Sequence, residues 1–472
     1  MTTPSRSGGG FLRVIASWFA VPPPAPATLA IFRIALGALV VFDAATRIPT
    51  AGLFLSEAGF FPSALQDADR PSLFNLFGGT WWPVALLVVY GLCGLCLVAG
   101  LRARTAALVG WFLILSLHHR NPLVTNGGDF LLRLALLWSC FLPLGAAFSA
   151  DRAMGRTGLG EWPAGAWIVF RIQASLIYLV TAGHKLASGG WLGGDALSRA
   201  LQMQEWQKPL AELLARQHGW LPFLGVAVVA VQIAAPIGLL MRFFAVRMVS
   251  VAALAGMQMG FFLLFHLGLF PWAALVFLIP FLPLGRAEPA AYGVRRDWRT
   301  AVCVAIAACT FSYAALSLVF PKSNPAVEHT LQLTGLNQRW PMFASPPDQS
   351  SRVVVLVDSG GDTIDLIARS WAGNGVIAGR PFAFPDASHR LYEDARWSGF
   401  LYAVAGNDFA GGEKSQRLVA GRLGAYFASR FPQLAANGWR VVAFTRFHDA
   451  DDENDGSEDT WSELARSAPA GR

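Results

Sequence analysis

Charge is what this sequence has little of. Only 14% of its 472 residues are Asp, Glu, Lys or Arg, against roughly 25% in soluble domains. With 54% hydrophobic residues, that excludes an ordinary soluble protein. The net charge of +7 does not signal nucleic-acid binding. The arginines stand in short gaps between apolar runs, not on one amphipathic face. Cysteine is sparse: Cys93, Cys96, Cys140, Cys303 and Cys309 all fall in apolar segments. Cys93 and Cys96 form a C-x-x-C with no second pair, so they are read as small core residues and no metal centre is expected. Neither an internal repeat nor paired glycine-interrupted segments are present, which argues against a transporter. No cleavable signal peptide is expected, because the apolar run after Arg13 stops early at Pro22-Pro23-Pro24. Residues 11–21 are expected to lie along the inner membrane surface.

What the sequence does have is apolar runs long enough to enter a bilayer. They cover 27–46, 82–100, 105–119, 130–148, 166–185, 220–240, 248–266, 272–284 and 300–320. The expected fold is therefore an all-α polytopic membrane bundle of about nine spans. The run at 272–284 is short and punctuated by Pro271, Pro280 and Pro283, so half of a broken helix is the alternative. Alternate loops carry Arg6 and Arg13, Arg102 and Arg104, Arg152 and Arg156, Arg242 and Arg247, then Arg286, Arg295, Arg296 and Arg299. The positive-inside rule places those loops and the N-terminus in the cytoplasm. Nine spans then put the C-terminus outside.

The domain reading follows. Residues 1–26 form a cytoplasmic or interfacial segment, 27–320 the transmembrane domain and 321–448 an extracytoplasmic α+β domain. Within the last, Val353 to Asp358 and Thr363 to Arg369 are strand-like about a turn at Ser359-Gly360-Gly361-Asp362, Ser415 to Phe431 is helical, and Trp439 to Phe447 is a further strand. Residues 449–472 read as an acidic disordered tail, and the Asp spacing there does not fit a calcium loop.

The densest chemistry runs from Arg171 to Trp191. Arg171, Ser175, Tyr178 and Lys185 recur at helical spacing through an apolar segment that breaks at Gly189-Gly190-Trp191. Ionisable groups at membrane depth cost about 2.5 to 3.5 kcal/mol each by insertion scales, so the stripe reads as a polar pocket with Lys185 at one rim. Each residue also has a plain structural role. Lys185 can snorkel to the interface, Asp129 and Arg133 stand at i and i+4 as an ion pair, and Tyr178 can be a core donor. Arg171 either binds an anionic substrate group or pairs with a carboxylate such as Asp43. Arg33 needs a partner on another helix. His266, before Gly268 and Pro271, either caps a helix break or faces the cavity.

Arg33, His119-Arg120-Asn121-Pro122, Asn126-Gly127-Gly128-Asp129, and Arg171-x-Gln173 followed by Tyr178, Gly183-His184-Lys185-Leu186 and Trp191 together resemble the HTTM family. These are bacterial membrane proteins similar to the transmembrane part of vitamin K-dependent gamma-carboxylase. The resemblance covers roughly residues 25–320, and Trp340-Pro341-Met342-Phe343 stands where the carboxylase has a Trp-x-Met segment; an aromatic membrane anchor is its plain reading. The resemblance implies a pocket open to the extracytoplasmic side of a bacterial cytoplasmic membrane. It implies quinol-oxidising, carboxylase-like chemistry, a reduced quinone as candidate cofactor, and Lys185 as the catalytic base. Burial at an apolar rim favours a lysine's unprotonated amine, the form that accepts a proton. Arg171, Gln173, Tyr178, His184, His119, Asn126, Asp129, His266, Gln258, Trp340 and Met342 are the candidate pocket residues, and no metal is implied. Two positions depart from the carboxylase pattern: Gly128 and Gln258 stand where functional histidines are found. The expected partners are the lipid bilayer and a quinone. The alternative is a non-enzymatic accessory protein for the maturation or export of a secreted peptide.

A reporter fused after Gly285 is expected to be cytoplasmic and one fused after Arg472 extracytoplasmic. The reverse pattern in a protease-protection assay would overturn this topology.

Overall fold

The computed structural model describes residues 21–156, 160–216, 218–285, 293–319, 324–347, 349–372, 395–406, 409, 412–447 and 460–467. A helix occupies each of the nine apolar runs: α1 Pro26–Arg47, α2 Trp81–Ala99, α3 Ala103–Arg120, α4 Gly127–Ser139, α5 Ala166–Ser188, α6 Leu221–Leu240, α7 Phe244–Leu264, α8 Phe270–Leu278 and α9 Trp298–Val319. Among the described residues six are long and apolar enough to cross a membrane: α1, which continues through short turns to Leu55, α2, α5, α6, α7 and α9. The other three fall short for visible reasons. α3 ends in His118-His119-Arg120. The run at 130–148 yields only 13 helical residues, about 20 Å at 1.5 Å per residue, because the chain turns at Cys140 before Pro143. α8 is the proline-punctuated segment.

Consecutive helices alternate between two ends of the bundle. At one end Thr28 Oγ1 donates to the Leu284 carbonyl (3.0 Å), Arg33 donates to the carbonyls of Leu144, Ala147 and Phe148, and the Arg102 amide donates to Asp151. At the same end the short parallel strands β1 Glu161–Pro163 and β2 Gly293–Arg295 pair. At the other end Arg47 meets Asp129. Arg33 thus finds loop carbonyls after α4, which satisfy a guanidinium fork as an acid would. The contact between α1 and α2 is unusually close. A Cβ on Gly37 would lie 2.6 Å from the Gly94 carbonyl oxygen, and one on Gly94 would lie 2.8 Å from that of Gly37. Small residues permit this approach between membrane helices.

After α9 the chain builds a four-stranded antiparallel sheet in the order β4-β3-β5-β6, from β3 Gln349–Ser359, β4 Asp362–Asp365, β5 Arg440–Phe447 and β6 Thr460–Arg466. Two helices, α10 Ala395–Gly406 and α11 Gly412–Arg430, cover one face, burying Val353, Val355, Phe400, Val419, Leu423 and Val441. Two expectations are corrected here. Residues 366–369 are helical, within Leu366–Ala372, and not strand; a short apolar run fits either state. Residues 460–466, expected in the acidic tail, form an edge strand on β5. Residues 449–459 and 11–20 lie outside the described residues.

The C-terminal domain rests on the Arg47 end of the bundle. Phe54 and Phe60 pack edge-on or stacked against Trp397 and Phe400. Arg396 Nη2 donates to Asp43 Oδ1 at 2.8 Å. A second joint forms where Glu205, 3% exposed, accepts the Ser351 amide of β3 through Oε1, while its Oε2 is buried without a hydrogen bond. Burial pushes the Glu205 carboxyl up from 4.5 to about 7, against the pull of the surrounding hydrogen bonds.

A raised carboxyl holds its proton in the folded protein while the unfolded chain has already lost it. Stability is therefore full below about pH 4.5, falls as pH rises, and levels off above about pH 7. The melting temperature of Glu205→Gln is expected to lack this decline, measured against wild type across the same pH series. Parallel curves would contradict the assignment.

Candidate functional site

The site is built on α5. Its apolar residues face the bundle and its polar stripe is also buried: Arg171, Ser175, Tyr178 and Lys185 are each 5% exposed or less. The helix stops at Gly189, whose left-handed backbone (φ 80°) lets its amide return to the Leu186 carbonyl. This turn brings Trp191 back over the helix end, and the Lys185 ammonium position lies 3.2 Å from the centre of its ring. No acidic side chain pairs with Lys185 among the described residues.

Lys185 opens on a cavity of about 260 Å³ between α5, α6, α7 and the strap of chain at 341–347. Its walls are mainly apolar, with a few polar groups: Tyr178, Gln232, Gln258, Asn126 and Thr181. Gln258 Nε2 donates to the Tyr178 hydroxyl oxygen at 3.3 Å. An apolar chamber with few convergent polar groups is the usual form of a small-molecule site.

The strap is held by hydrogen bonds at both ends. Gln338 and Gln173 exchange reciprocal amide bonds of 2.6 and 2.9 Å, and Trp138 and Trp340 donate to the same pair. Further on, Ser188 donates to the Ala344 carbonyl and Trp191 Nε1 to those of Phe343 and Ala344. Between these anchors Trp340 (φ 49°) and Phe343 (φ 51°) adopt left-handed backbone without being glycine, a cost of about 1–3 kcal/mol each that the flanking bonds sustain.

Of the residues singled out in the sequence, Lys185, Tyr178, Asn126, Gln258 and Met342 meet at this cavity. The others do not line it. Arg171 sits at the opposite end of α5, donating to the Leu239 and Leu240 carbonyls. Gln173 holds the strap. His184 is half-buried and away from the cavity. His119 bonds the carbonyls of Pro71 and Gln332. Asp129 caps α4 and pairs with Arg47 at 2.5 Å, not with Arg133, which contacts His118 and Asn337. His266 and Asp129 face a neighbouring cavity. Trp340 lines another. Among the described residues no imidazole lines the Lys185 cavity. At Gly128 a Cβ would lie 2.4 Å from the Phe270 amide nitrogen, so no histidine fits there in this arrangement.

Sequence reasoning missed Gln232, Met203 and Trp206. Gln232 had a signal: a buried amide in the otherwise apolar α6. Met203 and Trp206 come from a loop and had none. Among the described residues no cluster of metal-ligating side chains occurs, and all five cysteines are free.

No curated protein and no solved structure matches the chain. The family model for the HTTM domain matches residues 22–284, more than half of the sequence. With six helices able to cross a membrane and that match, the chain is a multi-pass membrane protein belonging to the HTTM family.

Proposed function

We propose that this protein is a membrane enzyme whose Lys185 acts as a base on a quinone-like substrate held in the apolar cavity beneath the strap. One observation carries the reading: a lysine 1% exposed, without an acidic partner among the described residues, lines a mainly apolar cavity. Such a group is costly to bury and stays only where the site uses it. Topologically, the nine helices are nine crossings, the shorter α4 and α8 being completed by the turns that follow them. The basic loops share the end opposite the C-terminal domain, so the domain from 321 to 448 and the strap lie outside the cytoplasmic membrane. The start of the described chain, residues 21–26, lies at the inner face.

Within the chamber Lys185 takes the proton of a substrate hydroxyl, and the face of Trp191 stabilises the ammonium so formed. Tyr178, held by Gln258, and Asn126 orient the polar ring substituents, while Phe261 and Phe270 receive the apolar part. A reduced quinone supplies the hydroxyl proton that Lys185 takes. The Phe270 backbone against Gly128, where the carboxylase pattern has a histidine, favours the second reading, an accessory protein for a secreted peptide.

Oxygen uptake and quinone epoxide formation by protein in nanodiscs, given reduced menaquinone, test the choice. Lys185→Ala and Lys185→Arg are each expected to lose about 100-fold or more of the wild-type rate, the usual contribution of a positioned base. No turnover by folded wild type, together with normal peptide maturation by Lys185→Arg in cells, would replace the enzyme with the accessory protein.

A further inference from the structure

A second cavity of about 290 Å³ lies beside the first, across Asn126 and Leu267, which line both. Its walls come from the outer ends of α1 and α7, the start of α8, and the first residues of α10 in the C-terminal domain. The charged groups around it nearly balance. Asp129 is paired with Arg47, and Asp43 with Arg47 and Arg396, so two carboxylates meet two guanidinium groups. Lys208 is left over. Its ammonium donates to the Phe262 carbonyl at 2.5 Å and lies 4.3 Å from the centre of the Phe262 ring. No acidic side chain pairs with it among the described residues. An ammonium has three donors, so two remain for a ligand. Lysine is rare in this chain, with Lys322 and Lys414 the others besides Lys185, and two of them border adjoining cavities.

Apolar side chains flank the cavity on the membrane side. Phe42 on α1 and Trp272 on α8 line it and are exposed, as is Leu263 on α7. A single uncompensated cation at the end of membrane helices, with aromatic walls leading down the lipid face, matches an anionic headgroup bearing acyl chains.

We propose that this cavity is a binding site for one anionic phospholipid, its phosphate on Lys208 and its chains along Phe262 and Trp272. The lipid thereby fills the seam between the bundle and the C-terminal domain at Arg396. The site is separate from the Lys185 chamber and does not depend on what that chamber does.

Native mass spectrometry of the full-length protein, delipidated and given equal amounts of phosphatidylglycerol and phosphatidylcholine with the same chains, tests this. Wild type is expected to retain one phosphatidylglycerol per chain with about five-fold preference, the scale of one basic side chain at a membrane surface. Lys208→Gln is expected to lose the preference, and Lys208→Arg and Lys414→Gln to keep it. Excess inorganic phosphate is expected to leave the adduct in place. Equal retention of the two lipids by wild type, an unchanged preference in folded Lys208→Gln, or displacement of the lipid by phosphate alone would each overturn the proposal. The wild-type comparison decides the matter even where a variant fails to fold.

Discussion

Everything at the strap end of this molecule depends on one buried charge network. Arg47 donates to Asp43 through Nε and to Asp129 through Nη2, and Arg396 completes the set on Asp43 and Thr46. All four charged groups are 8% exposed or less. Such charges persist away from water only when paired and hydrogen-bonded. Because the partners come from α1, α4 and α10, satisfying them fixes where the first helix ends, where the fourth begins and where the C-terminal domain sits. Asp129 also caps α4 by accepting the Asn126 amide, and Asn126 and Gly127 form a wall of the Lys185 cavity.

The strap shows the same logic with neutral groups. Two glutamines, Gln173 in the membrane helix and Gln338 outside it in sequence, each provide the donor and acceptor the other lacks. Once that pair is buried, Pro341 to Pro347 cross the top of the cavity, and the left-handed turns at Trp340 and Phe343 follow from the path between fixed ends. The apolar chamber is therefore a consequence of polar bonding around it, and among the described residues Lys185 is the charged group that lines it.

How much of this was legible in the sequence varied by the range of the interaction. Helix positions were readable because apolar runs and helical spacing are local. So was the burial of the 171–185 stripe. Its division was not: 14 residues of helix span about 21 Å, so Arg171 and Lys185 reach opposite ends of the bundle and cannot share a pocket. Asp129 and Arg133 have the local spacing of an ion pair, yet Arg47, 82 residues away, wins the carboxylate. Partners such as Gln173 and Gln338, or Asp43 and Arg396, leave no periodic trace because their separation is set by the fold. The family's motif positions located the right loop at 126–129, but the backbone of Phe270 against Gly128 appears only in three dimensions.

In the proposed function the Lys185 chamber, not the lipid-facing surface, receives a quinone-like ring. Photolabelling of the protein in nanodiscs with an azido-quinone, followed by peptide mapping, tests it most directly. The account predicts adducts at Tyr178, Met257, Phe261 or Met342 that unlabelled quinone competes away. Adducts confined to exposed membrane positions such as Phe223 and Val249, or insensitive to competition, would contradict it.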